Sequence, residues 1–129
     1  MKISVIIAVY NEDQHLARCL KSLAMQQRVS FEVLVIDDGS NQAIKARKLG
    51  LNEDKRFRFY RLDHSGTAVA RNFGAKKAKG DVLVFLDGDM EFESDFLELL
   101  IKPIEQNLGK GTLSTEEFVR SPASGADCD

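Results

Sequence analysis

The sequence predicts an α/β fold in which a mostly parallel sheet carries helices on both faces. Four short β-rich runs alternate with segments of helical periodicity. Three of these runs are almost continuous in Val, Ile, Leu and Phe, as expected of strands covered on both faces. The same three end in polar or acidic residues, and ligands of open α/β sheets bind outside the carboxyl ends of strands.

Ile3 to Val9 is the first strand. Ser4 interrupts its apolar run, Tyr10-Asn11-Glu12 stops it and no small-residue cleavage site follows, so it does not read as a leader peptide. A helix is expected from about Glu12 to Gln27, with Asn11 as N-cap and Gln14 three residues on in a capping-box arrangement. Its buried stripe is Leu16, Cys19, Leu20 and Leu23. Phe31 to Ile36 forms the second strand, and a helix after Ser40 runs to about Leu49, where Gly50 stops it. Phe57 to Leu62 is the third strand, followed by a helix over about Thr67 to Lys79 that Gly80 ends. Asp81 to Leu86 is the fourth strand. After Ser94 a last helix carries Phe96, Leu97, Leu100 and Ile101 inward, with a kink expected near Pro103.

A chain of 129 residues with 43% apolar content supports one domain, expected over residues 1–108. Residues 109–129, rich in Gly, Ser and Ala, read as a weakly structured tail or the start of a truncated continuation. The net charge of −2, from 18 basic and 20 acidic residues well mixed, argues against a nucleic-acid partner. No run approaches the ~18 apolar residues of a membrane span. Cys19 and Cys128 lack metal-ligand spacing, and Cys19 reads as a reduced core thiol of a cytoplasmic protein. A sheet cut short would expose an edge strand, so a homo-oligomer is among the expected partners.

The chemistry is expected at the strand ends. The fourth strand delivers Asp87 and Asp89 to its terminus, and carboxylates one residue apart there can turn toward one divalent cation. Gly88 between them is read as giving the backbone room to bend and space for a ligand. The second strand ends in Asp37-Asp38-Gly39-Ser40 and the first in Tyr10-Asn11-Glu12. If the second and fourth strands flank the first, all three loops line one crevice. Tyr10 can then pack on a nucleobase, Asp38 can accept hydrogen bonds from base N–H groups, and Asp89 with a cation can hold a diphosphate. Arg71, at the front of the third helix, suits phosphate or base oxygens, or equally pairs with nearby carboxylates. Glu12 is counted with the nucleotide-sugar contacts, although a helix start also favours an acid there. His15, His64 and Asp13 receive no role.

Four segments in order carry a family resemblance: Ser4 to Glu12, Val35 to Ser40, Gly66 to Gly74 and Phe85 to Asp89. Together they resemble the amino-terminal half of a family 2 glycosyltransferase with the Rossmann-like GT-A fold, over roughly residues 2 to 108. The resemblance implies that Tyr10 and Asp38 contact the base, that Arg71 lies near the base or phosphates and Asp87 near the ribose and donor. It also implies that Asp89 ligates Mn²⁺ or Mg²⁺ on the diphosphate of a sugar donor, expected to be UDP-linked, whose sugar passes to an acceptor hydroxyl with inversion. Ala8, Asn41 and Met90 depart from the family's usual residues without removing a ligand. The acceptor site and carboxylate base would lie beyond Asp129, leaving the catalytic base unassigned.

Two other readings stay open. Leu83 to Asp89 also looks like the nucleophile strand of a haloacid-dehalogenase-like phosphatase, although there that strand opens the domain. A phosphoacceptor signalling domain has an acid pair near its acceptor aspartate, but after the first strand, whereas Asp37 and Asp38 follow the second. A dinucleotide-binding domain is excluded because the first strand–helix turn has no glycines to admit a pyrophosphate.

Overall fold

The computed structural model describes residues 1–12 and 14–106; the expected tail over 109–129, Asp13 and Cys128 lie outside the described residues. Four parallel strands, β1 (Lys2–Val9), β2 (Ser30–Asp37), β3 (Phe57–Arg61) and β4 (Val82–Phe85), form one sheet in the order β3-β2-β1-β4. Each lies within about a residue of its sequence-based bounds. The expected flanking of the first strand by the second and fourth is found, with Val5 level with Val33 on one side and Val84 on the other. The chain moves outward through β2 and β3 and then returns to the far side of β1. Strand order therefore reverses between β1 and β4, and the crevice above that reversal is where such sheets bind ligands.

Alternation along β1 explains how one strand serves two cores. Ile3, Val5, Ile7 and Val9 point to a layer made by α1 (Leu16–Ala24) and α3 (Phe96–Gln106), with Val33, Val35, Leu20, Leu97 and Ile101. Ile6, with Leu34 and Ile36, points to the opposite layer, where Ala70 of α2 (Thr67–Lys77) packs against them. Gly74 lets α2 approach closely, since a Cβ there would stand 2.6 Å from Ile6 Cγ2. Helices thus cover both faces, as the continuous apolar runs require.

Two helical expectations are corrected. The first helix begins at Leu16 rather than near Glu12, and its N-cap is His15 with no side-chain cap. Asn11 is in the left-handed region, φ 55°, a conformation that Asn tolerates better than most residues. Its N–H donates to Ser40 Oγ (2.7 Å) and its Oδ1 accepts from the Asn41 N–H (2.8 Å), which ties the β1 loop to the β2 loop instead of capping a helix. The helix expected after Ser40 shrinks to a 3₁₀ turn, Ala46–Leu49, ended by Gly50 at φ 74° as foreseen. The Asp37 carboxylate explains the shortening, because it accepts from the N–H groups of Ser40 (2.9 Å) and Ile44 (3.0 Å) and so holds residues 40–44 in an irregular loop. α2 stops at Lys77, two residues before the expected end, and α3 runs through Pro103 to Gln106.

Candidate donor site at the strand ends

Tyr10 follows β1 and is 47% exposed, unusual for a large ring and suited to receiving a planar ligand. One side of the ring is taken: His64, from the loop after β3, stacks on it with centroids 4.1 Å apart and planes 27° from parallel. Asp38, the residue after β2, is buried, 3% exposed. Its Oδ1 accepts from Ser65 N–H (2.8 Å) and its Oδ2 from Gly66 N–H (2.9 Å), while His64 Nδ1 stands 3.2 Å from Oδ2. Asp38 thus organises the turn that leads into α2. A carboxylate has about four acceptor positions, so these bonds do not exhaust it.

Asp37 does different work. Burial alone would raise its carboxyl, but Ser40, the Ile44 N–H and the Arg61 guanidinium (2.8 Å) hold it below the usual carboxylate range. It is a structural anion that shapes the β2 loop.

At the β4 end the fully extended segment gives way to a turn carrying Asp87, Gly88 and Asp89. Arg71 of α2 reaches across from the opposite layer, its Nη2 3.7 Å from Asp87 Oδ1, and both side chains are about one-third exposed. The structure therefore joins Arg71 to Asp87, and Tyr10 to Asp38 through His64, at the ends of adjacent strands. Glu12 lines the neighbouring cleft between the start of α1 and residues 40–49, with Leu16, Ser40 and Ile44. Its Oε2 accepts from the His15 N–H at 3.3 Å. Asp89 is exposed in the turn.

The donor set at this turn suits a hard divalent cation. Asp87 and Asp89 offer carboxylate oxygens, and among the described residues no three His, Cys, Asp or Glu side chains assemble a closed cage. Two carboxylates with open positions are what a Mg²⁺- or Mn²⁺-type ion needs when phosphates and water supply its remaining oxygens.

Gly88 has another reason than the one expected. A Cβ at this position would stand 2.9 Å from Val9 Cγ1 and 3.3 Å from Leu16 Cδ1, so the glycine lets the turn press onto the core rather than leaving space for a ligand. Sequence alone assigns His64 no role, because it has no partner at metal or triad spacing; its position in a strand-end loop, like Tyr10 and Asp38, is the signal that finds it.

The sequence profile described as glycosyl transferase family 2 matches residues 4–113. The chain belongs to this family. An uncharacterised glycosyltransferase of Rickettsia conorii is 41% identical over 106 residues, covering 82% of this chain and 18% of the relative. Glycosyltransferase GlyA of Streptococcus pneumoniae is 35% identical over 104 residues, 80% of this chain and 15% of that protein. This family member thus spans less than a fifth of the length of those curated relatives.

Among solved structures, Staphylococcus aureus TarS residues 1–349 in complex with UDP-GlcNAc is similar with a TM-score of 0.73 and 27% identity, over 82% of this chain and 32% of that one. The same TarS fragment in complex with UDP matches with a TM-score of 0.66 and 26% identity. The α/β architecture of this family member is accordingly that of the GT-A fold, of which it holds part. The phosphatase reading gains no support from the matches. Among the described residues no helix is long and apolar enough to cross a membrane.

Proposed function

We propose that this chain is the donor-binding part of a metal-assisted, inverting glycosyltransferase that takes a sugar from a UDP-linked donor to an acceptor hydroxyl. The observation that carries the reading is that two groups, Tyr10 joined to Asp38 through His64, and Arg71 paired with Asp87 next to Asp89, lie at the ends of β1, β2 and β4 and on α2, above the point where strand order reverses. The resemblance to a TarS fragment solved with UDP-GlcNAc supports the choice of donor.

In this reading the exposed face of Tyr10 stacks on the base, and Asp38 fixes the Ser65–Gly66 backbone that borders it. Arg71, held by Asp87, presents a planar cation to the phosphates. Asp89 would hold Mn²⁺ or Mg²⁺ beside the diphosphate, with Asp87 next to it near the ribose and donor. When bound, that ion supplies electrostatic stabilisation of the charge that develops on the departing diphosphate.

Calorimetric titration of UDP, GDP and the matching nucleotide sugars, with and without Mn²⁺, tests the reading. Tighter UDP binding in the presence of Mn²⁺, abolished by Asp89→Asn, is the expected result. A folded protein that binds no nucleotide under either condition contradicts it.

A further inference from the structure

The Asp87–Asp89 turn is held by polar side chains on the face of α1 opposite its solvent side. Cys19, completely buried, donates its thiol to the Asp87 carbonyl (3.6 Å) and accepts a hydrogen bond from the Met90 N–H, so one sulfur closes both ends of the turn. One helical turn further on, Ser22 Oγ accepts from the Phe92 N–H at 3.1 Å and donates to the Cys19 carbonyl at 2.7 Å. Just past the helix end, Gln26 takes up the next stretch: its Nε2 donates to the Glu93 carbonyl and its Oε1 accepts from the Leu97 N–H at 2.8 Å. Residues 19 and 22 share one face of α1, Gln26 follows just past its end, and their partners run in order along residues 87 to 97. The Gln27 N–H donates to the Ser94 carbonyl (2.9 Å) and completes the row.

These bonds have a feature that simple core packing lacks. Apart from the Ser22–Cys19 bond within α1 and the Gln26 bond to Leu97 N–H at the start of α3, they are directed to backbone N–H and C=O groups of a non-helical segment with no strand neighbour to satisfy it, and they fix that backbone where Asp87 and Asp89 are carried. The packing of Gly88 onto Val9 and Leu16 presses the same turn onto α1.

We propose that Cys19, Ser22 and Gln26 are positioning residues for the metal-binding turn, setting the separation and direction of the Asp87 and Asp89 carboxylates through the backbone of residues 87–97. The inference rests on the metal-assisted donor reading above. It predicts that these side chains control the gain in UDP affinity that Mn²⁺ brings, and not nucleotide binding as such.

The test compares wild type, Cys19→Ala, Cys19→Ser and Ser22→Ala by calorimetry of UDP with and without Mn²⁺, alongside amide hydrogen exchange. A neutral hydrogen bond of ordinary strength corresponds to a loss of about tenfold. Cys19→Ala and Ser22→Ala are expected to lower the Mn²⁺-linked gain by about that factor each, to leave metal-free UDP affinity unchanged and to speed exchange at Met90 and Phe92 but not in α2. Cys19→Ser, whose hydroxyl can both donate and accept, is expected to recover most of the gain, whereas a role in filling the core alone would leave Ser worse than Ala. If one alanine variant does not fold, the other carries the comparison. Retention of the full Mn²⁺-linked gain by a folded alanine variant overturns the inference while leaving the donor site standing. A wild-type protein whose UDP binding ignores Mn²⁺ overturns the metal reading and this inference with it.

Discussion

The imidazole of His64 stacks on the phenol ring of Tyr10 at 4.1 Å, and the same imidazole places Nδ1 3.2 Å from Asp38 Oδ2. Loops that follow three different strands are thereby joined into one wall. An exposed tyrosine would otherwise sample several rotamers, and a stacked pair is worth about 0.5–1.5 kcal/mol in holding it.

Tyr10→Ala should therefore weaken UDP binding by about 1–3 kcal/mol, the usual contribution of a ring stacked on a base, with a smaller loss of thermal stability, about that of the lost stack, because the ring is half exposed. His64→Ala should weaken it less, by about the value of the aromatic pair. Titration calorimetry together with a melting curve decides; a Tyr10→Ala protein of unchanged affinity would place the base elsewhere.

Gly88→Ala separates packing from ligand space. Its Cβ would come within 2.9 Å of Val9 Cγ1 and 3.3 Å of Leu16 Cδ1, overpacking a buried layer, and should cost about 1–3 kcal/mol in denaturant unfolding. Gly50→Ala makes the useful contrast, for nothing lies within 4 Å and only the left-handed φ of 74° opposes it. The expected penalty there is about 1–2 kcal/mol, with no effect on nucleotide binding. Equal losses of binding in both variants would contradict a special role for the 87–89 turn.

The sheet was legible because parallel strands buried on both faces have a distinctive composition, and β1, β2 and β4 each show it. The strand-end acids were legible for a related reason: Asp37, Asp38, Asp87 and Asp89 each end an apolar run. What escaped depends on partners remote in sequence. Residues 40–44 look like a helix start, yet Asp37 and Asn11 capture their N–H groups. Cys19 reads as one more apolar residue on the stripe of α1, since its hydrogen-bond partner Asp87 lies 68 residues away. His64 gains meaning only when β3 is laid beside β2.

Burial pushes the Cys19 thiol up to about 12 from 9.0, with the carboxylates of Asp89, Asp87 and Glu12 adding to the shift and the Met90 N–H opposing it. A raised value means that the folded state favours the neutral thiol. Its contribution to stability is complete below pH 9.0 and is lost as pH rises toward about 12. In a Cys128→Ser background, where Cys19 is the sole thiol, a thiol reagent at pH 8 should react no faster than the protein unfolds. Rapid labelling of folded protein would show that the α1 face opens locally.

Acid should act through two buried carboxylates in opposite regions of the sheet. For Glu32, burial raises the carboxyl, but the Ser4 hydroxyl, the Lys79 N–H and Arg58 outweigh it and hold it below 4.5; Asp37 is held below 3.8 in the same manner. A depressed folded value stabilises above the unfolded one and is lost as pH falls through it, so unfolding midpoints in urea should be flat from pH 7 to about 5 and then decline. Glu32→Gln cannot ionise. It should be less stable at pH 7, because Arg58 loses its 2.6 Å partner, and should show a shallower acid decline than wild type. An unchanged acid slope in Glu32→Gln and in Asp37→Asn would assign acid sensitivity to other groups, and would mean that protonation of Glu32, in the buried network with Ser4, Arg58 and the Lys79 backbone, is not what unfolds the protein in acid.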